Sequence, residues 1–241
     1  MDARRAQQYA RWIGTLYLIT IVAGGFGESH VPNTLLIAND LAGTAQRVAS
    51  SLPIFRASFA AYLVEATCDI TLNVLLYALL RPVSRNLSLL AACFGLLGTA
   101  IFAAGEMLYF AAALPALDAD VARVISPEAN AALTYLCLTI YGYGFAIFAT
   151  FYGTAAVVRG YLIARSGYLP RALGAILILG GASFIAKNFL VVLAPQYDAP
   201  YVIVPMFVAM ASVTLWFLIK GVDRALWDAM QAAPTIHGAS S

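Results

Sequence analysis

With 241 residues, 62% of them hydrophobic and only 11% charged, and a mean hydropathy of +0.82, the chain falls outside the ordinary soluble domains, in which about 25% of residues carry charge. Its net charge of +2 is too small to point to nucleic acid or to acidic partners. Three cysteines within apolar runs (Cys68, Cys93, Cys137) and two histidines (His30, His237) leave no disulfide framework, no metal-ligand spacing and no bis-histidine haem within a membrane.

The apolar residues come in long runs rather than stripes, which is the pattern of membrane-spanning helices. The runs lie at roughly 12–31, 54–80, 88–114, 131–158, 172–194 and 201–220. They predict an all-α integral membrane bundle of about six transmembrane helices, a single membrane domain over residues 1–241. The first run follows Arg4, Arg5 and Arg11 but is not a signal peptide. It ends in Gly24-Gly25-Phe26-Gly27-Glu28, with no small-residue cleavage site before a polar start. Asn39 or Asp40 then caps a short helix to about Ser51, followed by Pro53. Its apolar positions Leu41, Ala45, Val48 and Leu52 are helically spaced, so it should rest on the bundle or the interface.

The second run carries a polar stripe: Ser58, Tyr62, Glu65, Asp69 and Asn73, all on one helix face. A charge inside hydrocarbon costs roughly 2.5–3.5 kcal/mol even on lenient insertion scales, so this face must look into the bundle or a wet cavity. The third run holds Glu106 on the face of Thr99, and the fifth holds Lys187 on the face of Ser183. Ser126-Pro127-Glu128 reads as an N-cap, a first-turn proline and a dipole-matched acid, so the fourth helix starts outside the membrane. Within it, Tyr141-Gly142-Tyr143-Gly144 lies in a continuous apolar run, which favours close helix packing by glycine over an ion filter; Gly174, Gly180 and Gly181 read the same way. The segment after Trp227, residues 228–241, is small and polar and is predicted to be disordered.

Lys and Arg divide unevenly. Ten of the fourteen fall on one side, including Arg4, Arg5, Arg81, Arg85, Arg159, Arg165 and Arg171. Only Arg47, Arg56 and Arg123 fall on the other, with Lys187 inside a span. The positive-inside rule places both termini in the cytoplasm.

The string Gly160-Tyr161-Leu162-Ile163-Ala164-Arg165-Ser166-Gly167-Tyr168-Leu169-Pro170-Arg171 resembles the inner-loop motif of a bacterial multi-pass membrane family, domain of unknown function family 4386. Gly14-Thr15-Leu16-Tyr17-Leu18-Ile19 with Ala23-Gly24 is similar to that family's first helix. Cys68-Asp69 and Leu75 to Leu87 are similar to its second helix and loop, and Tyr141 to Gly144 sits where the family has a His-Gly-Tyr-Gly-like string. The resemblance covers about residues 6–222. It implies a topology and a bacterial cytoplasmic (inner) membrane location, and no activity. It does not extend to Glu106 or Lys187, whose roles would be particular to this chain.

Counted at about 1.5 Å per residue from the cytoplasmic ends, Glu28, Glu65, Glu106 and Lys187 lie about 23–27 Å from the inner surface, with Asp69 nearer mid-membrane. This predicts one polar pocket opening outward, made of Glu65, Asp69, Asn73, Tyr62, Glu106, Lys187 and Glu28. The alternatives are an ion pair of Lys187 with Glu106 or Glu65, a solvated helix end for Glu28, and a neutral acid hydrogen-bonded to a neighbouring helix. Glu65 and Asp69 cannot both stay charged at close range in low dielectric unless Lys187 or a bound cation serves them. Arg165, Tyr168 and Arg171 are candidate contacts for lipid headgroups, or else orient the loop as positive charge and interface anchor.

No nucleophile motif, phosphate loop or cofactor motif appears. The bilayer is the one partner the sequence names. Three function classes stand: binding or transport of a small polar or cationic solute in the pocket, a structural, accessory or lipid-binding membrane protein, and an intramembrane enzyme using the carboxylate pair.

Overall fold

The computed structural model describes residues 1–197 and 199–232, apart from the side chains of residues 28–33. Helix is the form in which a long apolar run satisfies its own backbone N–H and C=O groups. The helices are α1 (Ala3–Thr34), α2 (Leu41–Ser50), α3 (Leu52–Leu80), α4 (Arg85–Ala111), α5 (Leu114–Leu117), α6 (Ala119–Val124), α7 (Pro127–Arg165), α8 (Arg171–Leu193), α9 (Val204–Ile219) and α10 (Arg224–Ala232). A 3₁₀ turn, Pro200–Ile203, leads into α9. Among the described residues there is no strand, and six helices are long and apolar enough to cross a membrane: α1, α3, α4, α7, α8 and α9 with its leading turn. The chain is a multi-pass helical membrane protein.

Proline and cap residues set the helix starts. Pro53, Pro127 and Pro205 sit in the first turn of α3, α7 and α9, where a missing N–H costs nothing. Asp40 accepts from the Gly43 N–H at 2.8 Å and Ser126 from the Ala129 N–H at 3.2 Å, so both caps fall where the sequence places them. The short helix α2 buries Thr44 and Val48 but leaves Leu41 exposed, so its buried face is rotated from the purely apolar one. Thr44 is drawn in because its hydroxyl bonds the Ile37 N–H at 3.0 Å and the Asp40 carbonyl at 2.7 Å.

Each span packs on its neighbours in the chain, and α9 packs back on α1, so the six form a closed ring. α2 lies against α7 and α3 at one end of that ring. The α7–α8 seam is built on glycine. A Cβ on Gly153 would lie 2.8 Å from the Gly181 carbonyl oxygen, and one on Gly160 would lie 2.7 Å from that of Gly174. The two backbones therefore touch at two levels. The Tyr141–Gly144 string behaves differently. It is part of the uninterrupted α7, but nothing lies within 4 Å of where a Cβ of Gly142 or Gly144 would be. Close packing does not explain these two glycines.

Helix α10 meets the start of the chain: Trp227, fully buried, donates its indole N–H to the Met1 carbonyl at 3.0 Å. Helix α10 runs through Ala232, past the point where the sequence predicts the ordered chain to end. The remaining residues, with His237, lie outside the described region.

Candidate functional site

The polar stripe of α3 faces the bundle. Ser58, Tyr62, Asp69 and Asn73 are buried and Glu65 is half-buried, while Leu63, Val64, Ile70 and Val74 on the opposite face are exposed. The stripe does not form one pocket. It passes through three environments.

The first is aromatic. The Tyr62 ring meets Phe102 and Tyr109 edge-on, with centroids at 5.7 and 5.5 Å, and tilts on Tyr141 at 6.2 Å. Tyr109 in turn stacks on Phe55 at 4.1 Å. Glu106 is 2% exposed on α4, on the face that carries Phe102 and Tyr109. It belongs to this packed layer and does not line the cavity described below.

The second is a cavity of ≈ 520 Å³, within the range of about 300–1,000 Å³ usual for small-molecule sites. Glu65 and Asp69 line it from α3. The rest of its wall comes from Thr20, Ile21, Gly24 and Gly25 of α1, Phe145, Phe148 and Tyr152 of α7, Phe184 of α8, and Ile203, Met206, Phe207 and Met210 at α9. The wall is thus mainly aromatic and aliphatic, not the continuous polar surface that the stripe alone predicts. Among the described lining residues there is no cation.

The third is an ionic layer below the cavity. Arg159 is 3% exposed and donates from Nη2 to Asn73 Oδ1. Its positive charge acts on the buried Asp69 carboxylate, and the phenol of Tyr17 is set against Arg159 and Tyr152. Asn73 also donates to the Asp69 carbonyl at 2.7 Å. Arg159 is thus a buried cation of this layer, although the sequence counts it among the cytoplasmic loop charges. It lies within α7, six residues before the helix ends at Arg165. The signal was present: no proline separates Tyr141 from Ser166, so the helix can run through Arg159. At about 1.5 Å per residue, Arg159 and Asn73 both lie about 10 Å from the inner helix ends, a match of depth that pairs them. Removing Arg159 from the loop tally leaves the charge asymmetry standing.

Glycines on the facing helices make room for the stripe. A Cβ on Gly24 would lie 2.7 Å from both Glu65 carboxylate oxygens. One on Gly27 would lie 2.6 Å from Tyr62 Cζ, and one on Gly95 would lie 2.6 Å from Arg159 Nη2. The stripe thus sits in notches that only a missing side chain leaves.

The other predicted residues are placed as follows. Lys187 is half-buried on α8 and does not line the cavity. The Glu28 and His30 side chains lie outside the described residues. Arg165 and Arg171 are exposed where α7 turns into α8, Arg165 with its guanidinium 5.7 Å over the Tyr161 ring. Tyr168 is not a surface contact for lipid headgroups: it is 2% exposed and donates to the Leu79 carbonyl at 2.7 Å. Burial raises its phenol above the usual ionisation range, so it stays a donor. Its ring meets Trp227 edge-on at 4.7 Å, and its carbonyl accepts from the Asp223 N–H at 3.1 Å. The loop motif is a clasp joining the ends of α3 and α7 to α10. A surface tyrosine and a buried one look alike in sequence when the partner carbonyl is remote in the chain.

The sequence model of the family described as Domain of unknown function (DUF4386) matches residues 12–221. An uncharacterized protein of Archaeoglobus fulgidus is 30% identical over 155 residues, covering 64% of this chain and 76% of that protein. No solved structure matches.

Proposed function

This chain belongs to the family described as Domain of unknown function (DUF4386), and we propose that it binds a small cationic solute within its helical ring. The observation that carries this reading is the cavity wall, on which Glu65 and Asp69 stand together among aromatic and methionine side chains. A carboxylate pair in a low-dielectric cavity attracts a positive charge strongly, because little water screens it.

The test is binding to the purified protein in lipid nanodiscs. Organic cations should bind, and the paired substitution Glu65→Gln and Asp69→Asn should weaken them at least about tenfold, equivalent to about 1.4 kcal/mol. Tetraphenylborate, an anion, should not compete. Equal cation affinity in the wild type and the paired variant would refute the reading.

We further infer that the protein lies in a cytoplasmic membrane with both termini inside, from the distribution of arginine. In a cysteine-free background, Arg123→Cys should react with an impermeant maleimide on intact cells, while Asn86→Cys should react only after lysis. Rapid labelling at position 86 from outside would overturn the orientation.

A further inference from the structure

The chemistry of the cavity and the gap beside it identify the class of solute. We propose that the ligand is a lipophilic organic cation that enters sideways from the bilayer, between α1 and α9. It seats its charge against Glu65 and Asp69 and its apolar body against the aromatic and methionine wall. This rests on the cation-binding reading and adds the ligand's apolar body and its route.

Two observations carry it. The first is the wall. Opposite the carboxylates stand Phe145, Phe148, Phe184, Met206 and Met210. A divalent inorganic cation that sheds its water needs about six oxygen ligands from its site. Beyond the two acids, the described lining offers only the hydroxyls of Thr20 and Tyr152 as side-chain oxygens. An organic cation needs few. Its charge is held by the acids and by aromatic faces, and its hydrocarbon surface gains by burial against phenylalanine and methionine.

The second is the way α1 and α9 diverge. At Gly14 the two helices touch backbone to backbone, where a Cβ would lie 2.7 Å from the Leu218 nitrogen. Eleven residues further along α1, nothing lies within 4 Å of the Cβ position of Gly25. The cavity-lining residues Ile21, Gly25 and Phe207, which flank this widening, are exposed. Gly25 lies about 17 Å beyond the Gly14 contact along the helix axis. Counted from the start of the apolar run at about residue 12, Gly25 lies about 20 Å into a hydrocarbon core of about 30 Å, so the opening faces lipid tails. A solute that partitions into lipid is already concentrated there, and a strictly water-soluble one is not.

The experiment uses the full chain in proteoliposomes and two cations of equal charge, tetraphenylphosphonium, which partitions into lipid, and tetramethylammonium, which stays in water. The wild type should bind tetraphenylphosphonium at least about tenfold more tightly, and the paired Glu65→Gln and Asp69→Asn variant should lose it. Gly25→Trp, and independently Ile21→Trp, should slow its association several-fold. Val22→Trp, on an exposed position that does not line the cavity, should leave the rate unchanged. If neither cation binds, or binding ignores the acids, the cation reading itself fails. If tetramethylammonium binds as tightly as tetraphenylphosphonium and both need the acids, the apolar-body proposal is overturned while the cation reading stands. If tetraphenylphosphonium is preferred but both mouth variants leave its association rate unchanged, the lateral route is overturned.

Discussion

Replacing Arg159 with methionine is expected to destabilise the bundle by about 1–3 kcal/mol, the cost of leaving buried polar groups of α3 without their partner. The guanidinium is 3% exposed, bonds Asn73 and offsets Asp69, which is itself 3% exposed. Its removal leaves Asp69 with a desolvated carboxylate and Asn73 with an unmet carbonyl oxygen. Adding Asp69→Asn to Arg159→Met should recover much of the loss, because the uncompensated charge is then gone. Reversible unfolding in mixed micelles, followed for the two single variants and the double, gives the coupling directly. Additive single effects would mean that Arg159 and Asp69 do not interact, and the ionic layer beneath the cavity would have to be abandoned.

Gly160→Ala and Gly181→Ala are each expected to cost about 1–3 kcal/mol by overpacking the α7–α8 seam. A Cβ on Gly160 meets the Gly174 carbonyl oxygen at 2.7 Å, and one on Gly181 meets the Gly153 carbonyl oxygen at 2.5 Å. These are backbone atoms, which cannot swing aside as a side chain can, so the helices must part. Gly142→Ala is the internal control. The same residue change on the same helix meets nothing within 4 Å. It should be neutral, or stabilising by up to about 1 kcal/mol through helix propensity. Thermal unfolding of the three variants in one detergent decides it. Equal losses at positions 142 and 160 would show that the change acts through the helix itself and not through the seam.

The sequence by itself determined the spans, the caps and the inward face of α3. These follow from local rules: long apolar runs become spanning helices, Asp40 and Ser126 start helices by accepting backbone N–H groups, and a polar stripe cannot face lipid. It also put Glu65 and Asp69 forward, and both line the cavity. Depth counting, however, cannot tell which groups at one level share a space. Glu106 and Tyr62 lie near Glu65 in depth yet belong to an aromatic layer, because that depends on which helix face meets which neighbour around the ring. Tertiary structure alone decided that Tyr168 clasps the Leu79 carbonyl and that Gly142 packs on nothing while Gly160 packs on backbone, and it turned the matching depths of Arg159 and Asn73 into a hydrogen bond. In each case the deciding partner is distant in the chain. Local periodicity says which side of a helix is covered; only the closed ring of helices says by what.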